Sequence, residues 1–240
     1  MDTIKGIIIK GIPYKDNAQI VRIFTKEHGL ATFIVRLGNP KSSSLRHVCR
    51  VMNLVEFEAH MHDDKDLHQL KQLRLAYPVN TIPFDPSKSA LVLFLGELLA
   101  KTLPDKYYNK PLFQFIHDAI LLLDDSYEIQ NFHLWCTTEI IRHYGFYPEP
   151  NSLLPALVHF DLLENEFRHN APPHPYFLGP SEALLLDQFL DKDWSEVQHI
   201  QSNGAMRKSL LEGLLQMINL HLELKVTYNS LDVLHQVFHD

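Results

Sequence analysis

The sequence has little cysteine and no long hydrophobic run. Cys49 and Cys136 are the two cysteines among 240 residues. They lie far apart, which argues against a disulfide framework and fits a reducing compartment. No apolar run approaches the roughly 20 residues that a membrane span needs. Residues 1–4 lack the basic and apolar regions of a signal peptide. We therefore expect a cytoplasmic protein.

Motifs of catalysis are also missing from the sequence. It contains neither a Gly-x-Gly-x-x-Gly run nor a phosphate loop, so nucleotide hydrolysis has no support. A Gly-x-Ser-x-Gly nucleophile elbow is absent as well. Cys136 lies on an apolar helical stripe and is predicted to be a buried thiol, not a nucleophile. We expect a protein that is not an enzyme and that needs no cofactor.

Histidine is abundant, with 15 residues, and raises the question of a metal site. His60 and His62 share one face of a predicted strand, with His68 across the following turn. His169 and His174 form a further pair. None of them has a Cys-x-x-Cys partner or the helical His-Glu-x-x-His spacing of zinc sites. Scattered surface histidines are the favoured interpretation, and a metal-dependent hydrolase stays as a remote alternative.

The first 80 residues have the pattern of a small β-barrel. Short segments rich in β-branched and aromatic residues alternate with turn signals, without a helical period. The predicted strands are residues 4–10, 18–25, 30–36, 51–61 and 67–76. In the fourth of these, Val55 and Phe57 alternate with Glu56 and Glu58, which gives one core face and one solvent face. Five strands in this length predict a closed barrel.

A change of period after Pro78–Pro86 marks a domain boundary. Asp85 is a good N-cap and Pro86 a good first helical residue. The predicted helices are residues 86–103, 111–123, 129–144, 181–190, 194–200, 203–224 and 231–238. A proline-rich irregular segment, 145–180, interrupts them and contains a possible hairpin at 158–167. The fold class is α+β, with a barrel domain at 1–80 and a helical domain at 81–240.

Charge divides in the same way. Residues 1–80 carry 12 Lys and Arg against 8 Asp and Glu, a net +4, whereas residues 81–240 carry 10 against 21, a net −11. The loop 38–46 is either a solvated connection or a mobile basic finger that grips phosphates. A basic barrel can bind a polyanion although the whole chain is acidic, because fields fall off within about 10 Å. The candidate phosphate contacts are Lys10, Lys15, Arg22, Arg36, Lys41, Arg46, Arg50, Lys71 and Arg74.

An ordered series of segments along the chain resembles a known family. The segments are GIIIK (6–10), YKD (14–16), VRIFTKEHG (21–29), Lys41–Arg46, NLVEF (53–57), LRLAYP (73–78), FLGELL (94–99), NFHL (131–134), YGFYP (144–148) and FDL (160–162). No single segment is specific, but their order is similar to that of the bacterial recombination mediators of the RecO family. The likeness covers nearly the whole chain.

This resemblance implies an OB-fold joined to a helical domain. It also implies a non-catalytic role: binding single- and double-stranded DNA, annealing complementary strands and binding RecR. Further, it implies binding of the acidic C-terminal tail of single-stranded DNA-binding protein, so that RecA loads at gaps. Residue by residue, the sequence departs from the family in two places. Arg36-Leu-Gly-Asn39 and Cys49-Arg-Val-Met52 replace a Lys-Gly-Ala-Arg-like run and a Gln-Pro of many relatives.

Cations for the tail are scarce in the acidic helical part. Lys101 ends one predicted helix, and Arg142 with His143 ends another, so these three are the predicted partner-binding residues. In a last turn a cation also complements the helix dipole, which is an alternative reason for their position. Arg207 and Lys208, near the start of a later helix, are the alternative cations for the tail. A rival function is a scaffold whose barrel binds peptide or RNA.

Zinc is not carried over from the family. Many relatives hold zinc with four cysteines in the irregular segment, but residues 145–180 contain no cysteine here. His169 and His174 alone cannot complete a tetrahedral site.

We therefore predict that stability does not depend on zinc. Adding EDTA should leave the melting temperature of the purified protein unchanged, because no thiolate set is available in this segment. Differential scanning fluorimetry with and without the chelator measures this. A fall of several degrees, reversed by added zinc, would contradict the prediction.

Overall fold

The computed structural model describes residues 3–14, 17–37, 44–61, 65–151 and 158–238. The chain forms two compact units, Met1–Asp125 and Ser126–Asp240. The change from strands to helices does occur near residue 80, as the sequence predicts. The first unit, however, also includes the two helices that follow it. The functional boundary at residue 80 stays a prediction.

The first unit begins with a closed five-stranded barrel in the order β1-β2-β3-β5-β4. Its elements are β1 Thr3–Tyr14, β2 Ala18–Thr25, β3 Gly29–Arg36, α1 Ser44–Val48, β4 Leu54–Ala59 and β5 Leu67–Leu75. β3 and β5 pair in parallel, and the other neighbours pair antiparallel. The barrel predicted from the sequence is thus confirmed, and its architecture is that of an OB-fold.

Two details differ from the expectation. The fourth strand starts at Leu54, because the chain turns at Met52, whose φ is 63°. The connection after β3 contains a short helix, α1, which the loop-like composition of residues 38–46 did not reveal.

Alternation along the strands places every second side chain inside the barrel. Val21 and Ile23 point inward from β2, and Phe33 and Val35 from β3. Phe33 and Phe57 meet edge to face with ring centroids 4.9 Å apart. The buried interior residues are Ile4, Ile8, Val21, Ile23, Phe33, Val35, Leu37, Cys49, Val55, Phe57, Ala59 and Leu73. Burial raises the pKa of Cys49 to about 11, so this thiol is neutral at physiological pH.

Two helices, α2 (Pro86–Thr102) and α3 (Lys110–Asp125), complete the first unit. Asp85 caps α2 by accepting hydrogen bonds from the N–H groups of Ser87 and Lys88, as the sequence predicts. α2 packs on β1. Phe113 of α3 meets Phe24 on the outside of the barrel at 5.8 Å, edge to face. The helices therefore cover one part of the barrel surface.

A buried carboxylate, that of Asp124, holds the start of the helical part in place. Near the end of α3, it accepts hydrogen bonds from the backbone N–H groups of Asn80 (2.8 Å), Thr81 (2.8 Å) and Ile82 (3.0 Å). The ammonium group of Lys88, buried on α2, donates to the carbonyl oxygen of Asp124 at 2.8 Å and to the hydroxyl of Thr81 at 2.7 Å. The proline-containing connection 78–86 is consequently fixed to both helices.

The connection between α2 and α3 is held against the barrel in turn. The N–H of Leu30 donates to the carbonyl of Tyr107, and the N–H of Lys106 donates to the carbonyl of Leu30 at 2.9 Å. Gly29 is required at this approach, since its φ is +68° and an added Cβ would lie 2.3 Å from the Tyr107 oxygen.

The second unit combines helices with a small sheet. Its elements are α4 Phe132–Tyr144, β6 His159–Asp161, β7 Glu166–Arg168, β8 Phe177–Leu178, α5 Pro180–Phe189, α6 Trp194–Val197, α7 Gly204–His221 and α8 Ser230–Val237. α7 packs against α4 and α5. Gly145, with φ 90°, ends α4, which agrees with the predicted helix end at residue 144. Cys136 is buried as expected, and burial raises its pKa.

The irregular segment contains the predicted hairpin, β6–β7, with β8 on its other edge. Asp161, 1% exposed, caps the hairpin turn by accepting from the N–H groups of Leu163 and Glu164. Arg168 and His174 each approach the same carboxylate at 3.3 Å. An ion pair, an imidazole and a capped turn thus surround Asp161 in the described part of this segment, and residues 145–180 offer no thiolate for zinc. Within the described ranges, no group of three metal-ligating side chains occurs. No helix in the described part of the chain is long and apolar enough to cross a membrane.

We predict that Asp124→Asn destabilises the first unit by about 3 kcal/mol, because three backbone donors lose a charged acceptor and one meets an amide N–H. Burial by itself raises the pKa of Asp124, but the donors of residues 80–82 outweigh it and hold that pKa below its ordinary value. The stabilisation is therefore present above about pH 4 and is lost as pH falls through the lowered pKa.

Urea unfolding at neutral and acid pH should show that the difference in free energy of unfolding between Asp124→Asn and wild type becomes smaller in acid. Asp125→Asn, at the exposed neighbouring position, is the control. Equal stability of the two variants at neutral pH would contradict this role.

Candidate functional site

Three strands of the barrel present a continuous outer face. Directly paired residues point to the same side of a sheet. Ile12, Ile20 and Ile34 are paired across β1, β2 and β3, and they form the isoleucine row. Their neighbours Val21 and Val35 are buried in the core, so the row lies outside the barrel. We call this surface the β1–β3 face.

Cations flank the isoleucine row on both sides. On one side, Lys10 of β1 is paired with Arg22 of β2. On the other side, Tyr14 is paired with Ala18, which is paired with Arg36. Lys10 and Arg36 are both exposed. The β1–β3 face therefore has an apolar centre and a basic rim.

Of the seven predicted cations that the structure describes, two are held in ion pairs. Arg22 donates to Asp105 at 2.7 Å and to the carbonyl of Ala100 at 3.2 Å, so it links the barrel to the end of α2. Arg74 meets Glu56 at 3.0 Å across the β4–β5 pair. Both residues have their charge partly neutralised by a neighbour.

The other predicted cations differ in their surroundings. Lys15 and Lys41 lie outside the described residues. Lys71 is exposed, but its cross-strand partner on β4 is Glu58. Among the residues that the structure describes, Lys10, Arg36, Arg46 and Arg50 meet no acidic side chain within ion-pair distance, and all four are exposed.

A cleft opens where β3 and β5 diverge. Their parallel pairing reaches Ile34 and Gln69 and then stops. Arg36 and Lys71, two residues further along each strand, line a cleft of about 370 Å³ together with Leu45 of α1. Arg46 follows Leu45 on the same short helix. The cleft therefore adjoins the β1–β3 face at its Arg36 end.

Acidic residues bound this basic surface on one side. Glu56 and Glu58 alternate on the outer face of β4, opposite Arg74 and Lys71. A polyanion is repelled there and attracted toward β1, β3 and α1. The arrangement can thus bind phosphates along the barrel without any bond-making chemistry.

The predicted tail-binding cations already have partners within their own units. In the first unit, Lys101 donates to Glu97 at 2.6 Å. In the second, Arg142 meets Glu139 at 3.2 Å and Asp191 at 3.0 Å. Its guanidinium also lies 3.5 Å above the ring centroid of Tyr147. Burial and the nearby Arg142 lower the pKa of His143, so it is neutral at physiological pH.

A cavity at the start of α7 was not predicted from the sequence. It measures about 450 Å³ and lies within the second unit. Its lining comprises His133, Asn203, Gly204, Ala205, Arg207, Lys208, Leu234, His235 and Phe238. Asn203 caps α7 by accepting from the N–H of Met206. The residues of the second unit include six Lys and Arg, and two of them, Arg207 and Lys208, line this cavity.

His133 contributes a buried polar atom to the lining of the cavity. Its side chain is 3% exposed, and its Nδ1 atom has no hydrogen-bond partner among the described residues. Burial above all, and Arg207 and His235 after it, lower the pKa of His133 to about 3, so its imidazole is neutral at physiological pH. The α7 N-terminus adds a partial positive charge. Leu234 and Phe238 supply an apolar wall.

Comparison with known proteins identifies the family. The family model described as Recombination protein O N terminal matches residues 1–79, and that described as Recombination protein O C terminal matches residues 83–229. The chain is 30% identical to a DNA repair protein RecO of Phocaeicola vulgatus and 31% identical to one of Bacteroides fragilis, over 97% of each chain. A DNA repair protein RecO of Flavobacterium johnsoniae is 30% identical over 98% of each chain. The chain therefore belongs to the RecO family and has a role in DNA repair and recombination.

Proposed function

We propose that the protein is a non-catalytic recombination mediator that binds and anneals DNA through its barrel. The observation that carries this proposal is the β1–β3 face, an apolar row with a basic rim on an OB-fold. OB-folds commonly bind oligonucleotides on this side of the barrel. With RecR and single-stranded DNA-binding protein as partners, the protein promotes RecA loading at gaps.

Phosphates are bound by the cations that lack an acidic neighbour. Arg36, Arg46 and Lys10 are exposed around the β1–β3 face and the cleft beside it. An Arg guanidinium that is not engaged by a carboxylate retains its donors for phosphate oxygens. Arg22 and Arg74, each held by a carboxylate, contribute less to binding. The same cations favour annealing, because two strands whose phosphates are neutralised repel one another less.

The acidic tail of single-stranded DNA-binding protein binds the α7 cavity in this proposal. A tail carboxylate needs cations, and its apolar side chains need a wall. Arg207 and Lys208 supply the cations, and Leu234 and Phe238 supply the apolar wall. Arg142 is less suited, because binding there competes with two carboxylates, Glu139 at 3.2 Å and Asp191 at 3.0 Å. Lys208 has a single, longer ion pair in the described part of the chain, with Glu212 at 3.9 Å. The earlier assignment of the tail to Lys101, Arg142 and His143 stays the alternative prediction.

One prediction of the proposed function concerns DNA. Arg36→Glu, Lys41→Glu and Arg46→Glu together should weaken binding of a labelled single-stranded oligonucleotide by at least about tenfold at low salt. Each lost phosphate contact should also reduce the log–log salt slope by about 0.7. Fluorescence anisotropy over a salt series measures both quantities.

A matched control carries the same change in net charge elsewhere. Lys110→Glu, Lys192→Glu and Lys225→Glu alter three exposed lysines, the first at the start of α3 and the other two in the second unit. The affinity of this control variant for the oligonucleotide should stay close to that of the wild-type protein. An equal loss of affinity in both triple variants would show that net charge alone accounts for the effect. Unchanged affinity in the first variant, with normal circular dichroism, would remove residues 36–46 from the site.

Another prediction of the proposed function concerns the tail of single-stranded DNA-binding protein. Lys208→Glu should weaken binding of an isolated acidic tail peptide by about tenfold or more, because it reverses a charge at the cavity. The fold should persist, since Lys208 is half exposed and its ion pair with Glu212, at 3.9 Å, is a surface contact that contributes little to stability. Isothermal titration calorimetry decides the point. Arg142→Gln is the comparison: loss there and not in Lys208→Glu would place the tail at the end of α4.

A further inference from the structure

The isoleucine row has exposed apolar surface in a place where a simple phosphate-binding surface needs none. Ile12 is 45% exposed and Tyr14 is 37% exposed. Ile20 and Ile34 continue the row in partly exposed positions. Side chains of this kind on the outer face of a barrel cost free energy in water, so they indicate contact with an apolar ligand surface.

Small and large side chains shape this surface. Tyr14 and Arg36 occupy β1 and β3, and Ala18 lies between them on β2. Neighbouring strands are about 4.8 Å apart, so the two outer strands are separated by about 10 Å. The short side chain of Ala18 is thus paired between an aromatic residue and an arginine. A small side chain at this position lets a flat ring approach the sheet.

Charge selects the occupant. Lys10 and Arg36 border the apolar row at its two sides, and both lack an acidic neighbour in the described part of the chain. A ligand that matches must offer flat apolar rings joined by anions at regular spacing. Single-stranded nucleic acid has this chemistry, since its base faces are open and its phosphates follow the backbone. Duplex DNA hides its base faces in the stack and presents phosphates alone.

We propose that the isoleucine row and Tyr14 form a base-stacking platform that gives the barrel its preference for single strands over duplex. The proposal rests on the proposed DNA-binding function and deepens it. One base stacks on Tyr14 above Ala18, the following bases lie on the isoleucine row, and Arg36 and Lys10 bind the adjoining phosphates. Duplex DNA contacts the cations through its phosphates and leaves the isoleucine row exposed to solvent.

Paired oligonucleotides separate stacking from charge. The probes are a labelled oligothymidine, an abasic oligonucleotide of equal length and charge, and a duplex of the same length. Wild-type protein should bind oligothymidine about tenfold more tightly than the abasic strand, since stacking on an aromatic side chain contributes at this scale. Tyr14→Ala and Ile12→Ser should each reduce this preference severalfold and leave affinity for the abasic strand and the duplex nearly unchanged. Tyr14→Trp, which keeps an aromatic face, should retain the preference.

Controls keep the outcomes distinct. Phe84→Ala removes an exposed aromatic side chain outside the β1–β3 face and should change nothing. Thermal melting confirms the fold of each variant, and Tyr14→Trp tests the proposal if Tyr14→Ala does not fold. Equal wild-type affinity for oligothymidine and the abasic strand, or an intact preference in Tyr14→Ala, would overturn the platform while DNA binding stands. Failure of wild type to bind any of the three probes would overturn the proposed function itself.

Discussion

The carboxylate of Asp124 is the interaction on which the first unit depends. A carboxylate that accepts three backbone N–H groups fixes the path of residues 80–82, where the chain changes from strand to helix. Lys88 donates to the carbonyl of the same residue and so attaches α2 to α3 at the same point. With both helices fixed, Phe113 is held against Phe24 and the α2–α3 connection against Gly29. A segment whose three prolines suggest a linker is therefore an ordered part of the first unit.

This attachment divides the outer surface of the barrel by function. One part is covered by α2 and α3, and Arg22 is used there to hold the barrel to residues 100 and 105. On β4, Glu56 and Glu58 make the surface unfavourable for phosphates. The β1–β3 face and the cleft beside Arg36 remain. Lys10 and Arg36 border them, and neither meets an acidic side chain within ion-pair distance in the described part of the chain. The DNA-binding surface that we propose is the region that packing and acidic side chains leave available.

The sequence predicts the elements better than the contacts. Alternation and turn residues are local signals, so five strands, the Asp85 cap and the Gly145 helix end could be predicted from the chain alone. α1 could not, because five residues carry too little periodicity for a helix signal. A list of cations cannot show that Arg22 and Arg74 meet Asp105 and Glu56, since those partners depend on strand register and packing. The α7 cavity combines residues 133, 207 and 238, which only the fold brings together.

Photo-crosslinking tests most directly the central claim, that single-stranded DNA lies on the β1–β3 face. An oligonucleotide containing 4-thiothymine is bound to the protein at low salt and irradiated, and the crosslinked peptides are mapped by mass spectrometry. We predict crosslinks in β1 and β2 around Ile12, Tyr14 and Ile20, and in β3 and α1 between residues 34 and 50. Crosslinks confined to β4, or to residues 126–240, would contradict it.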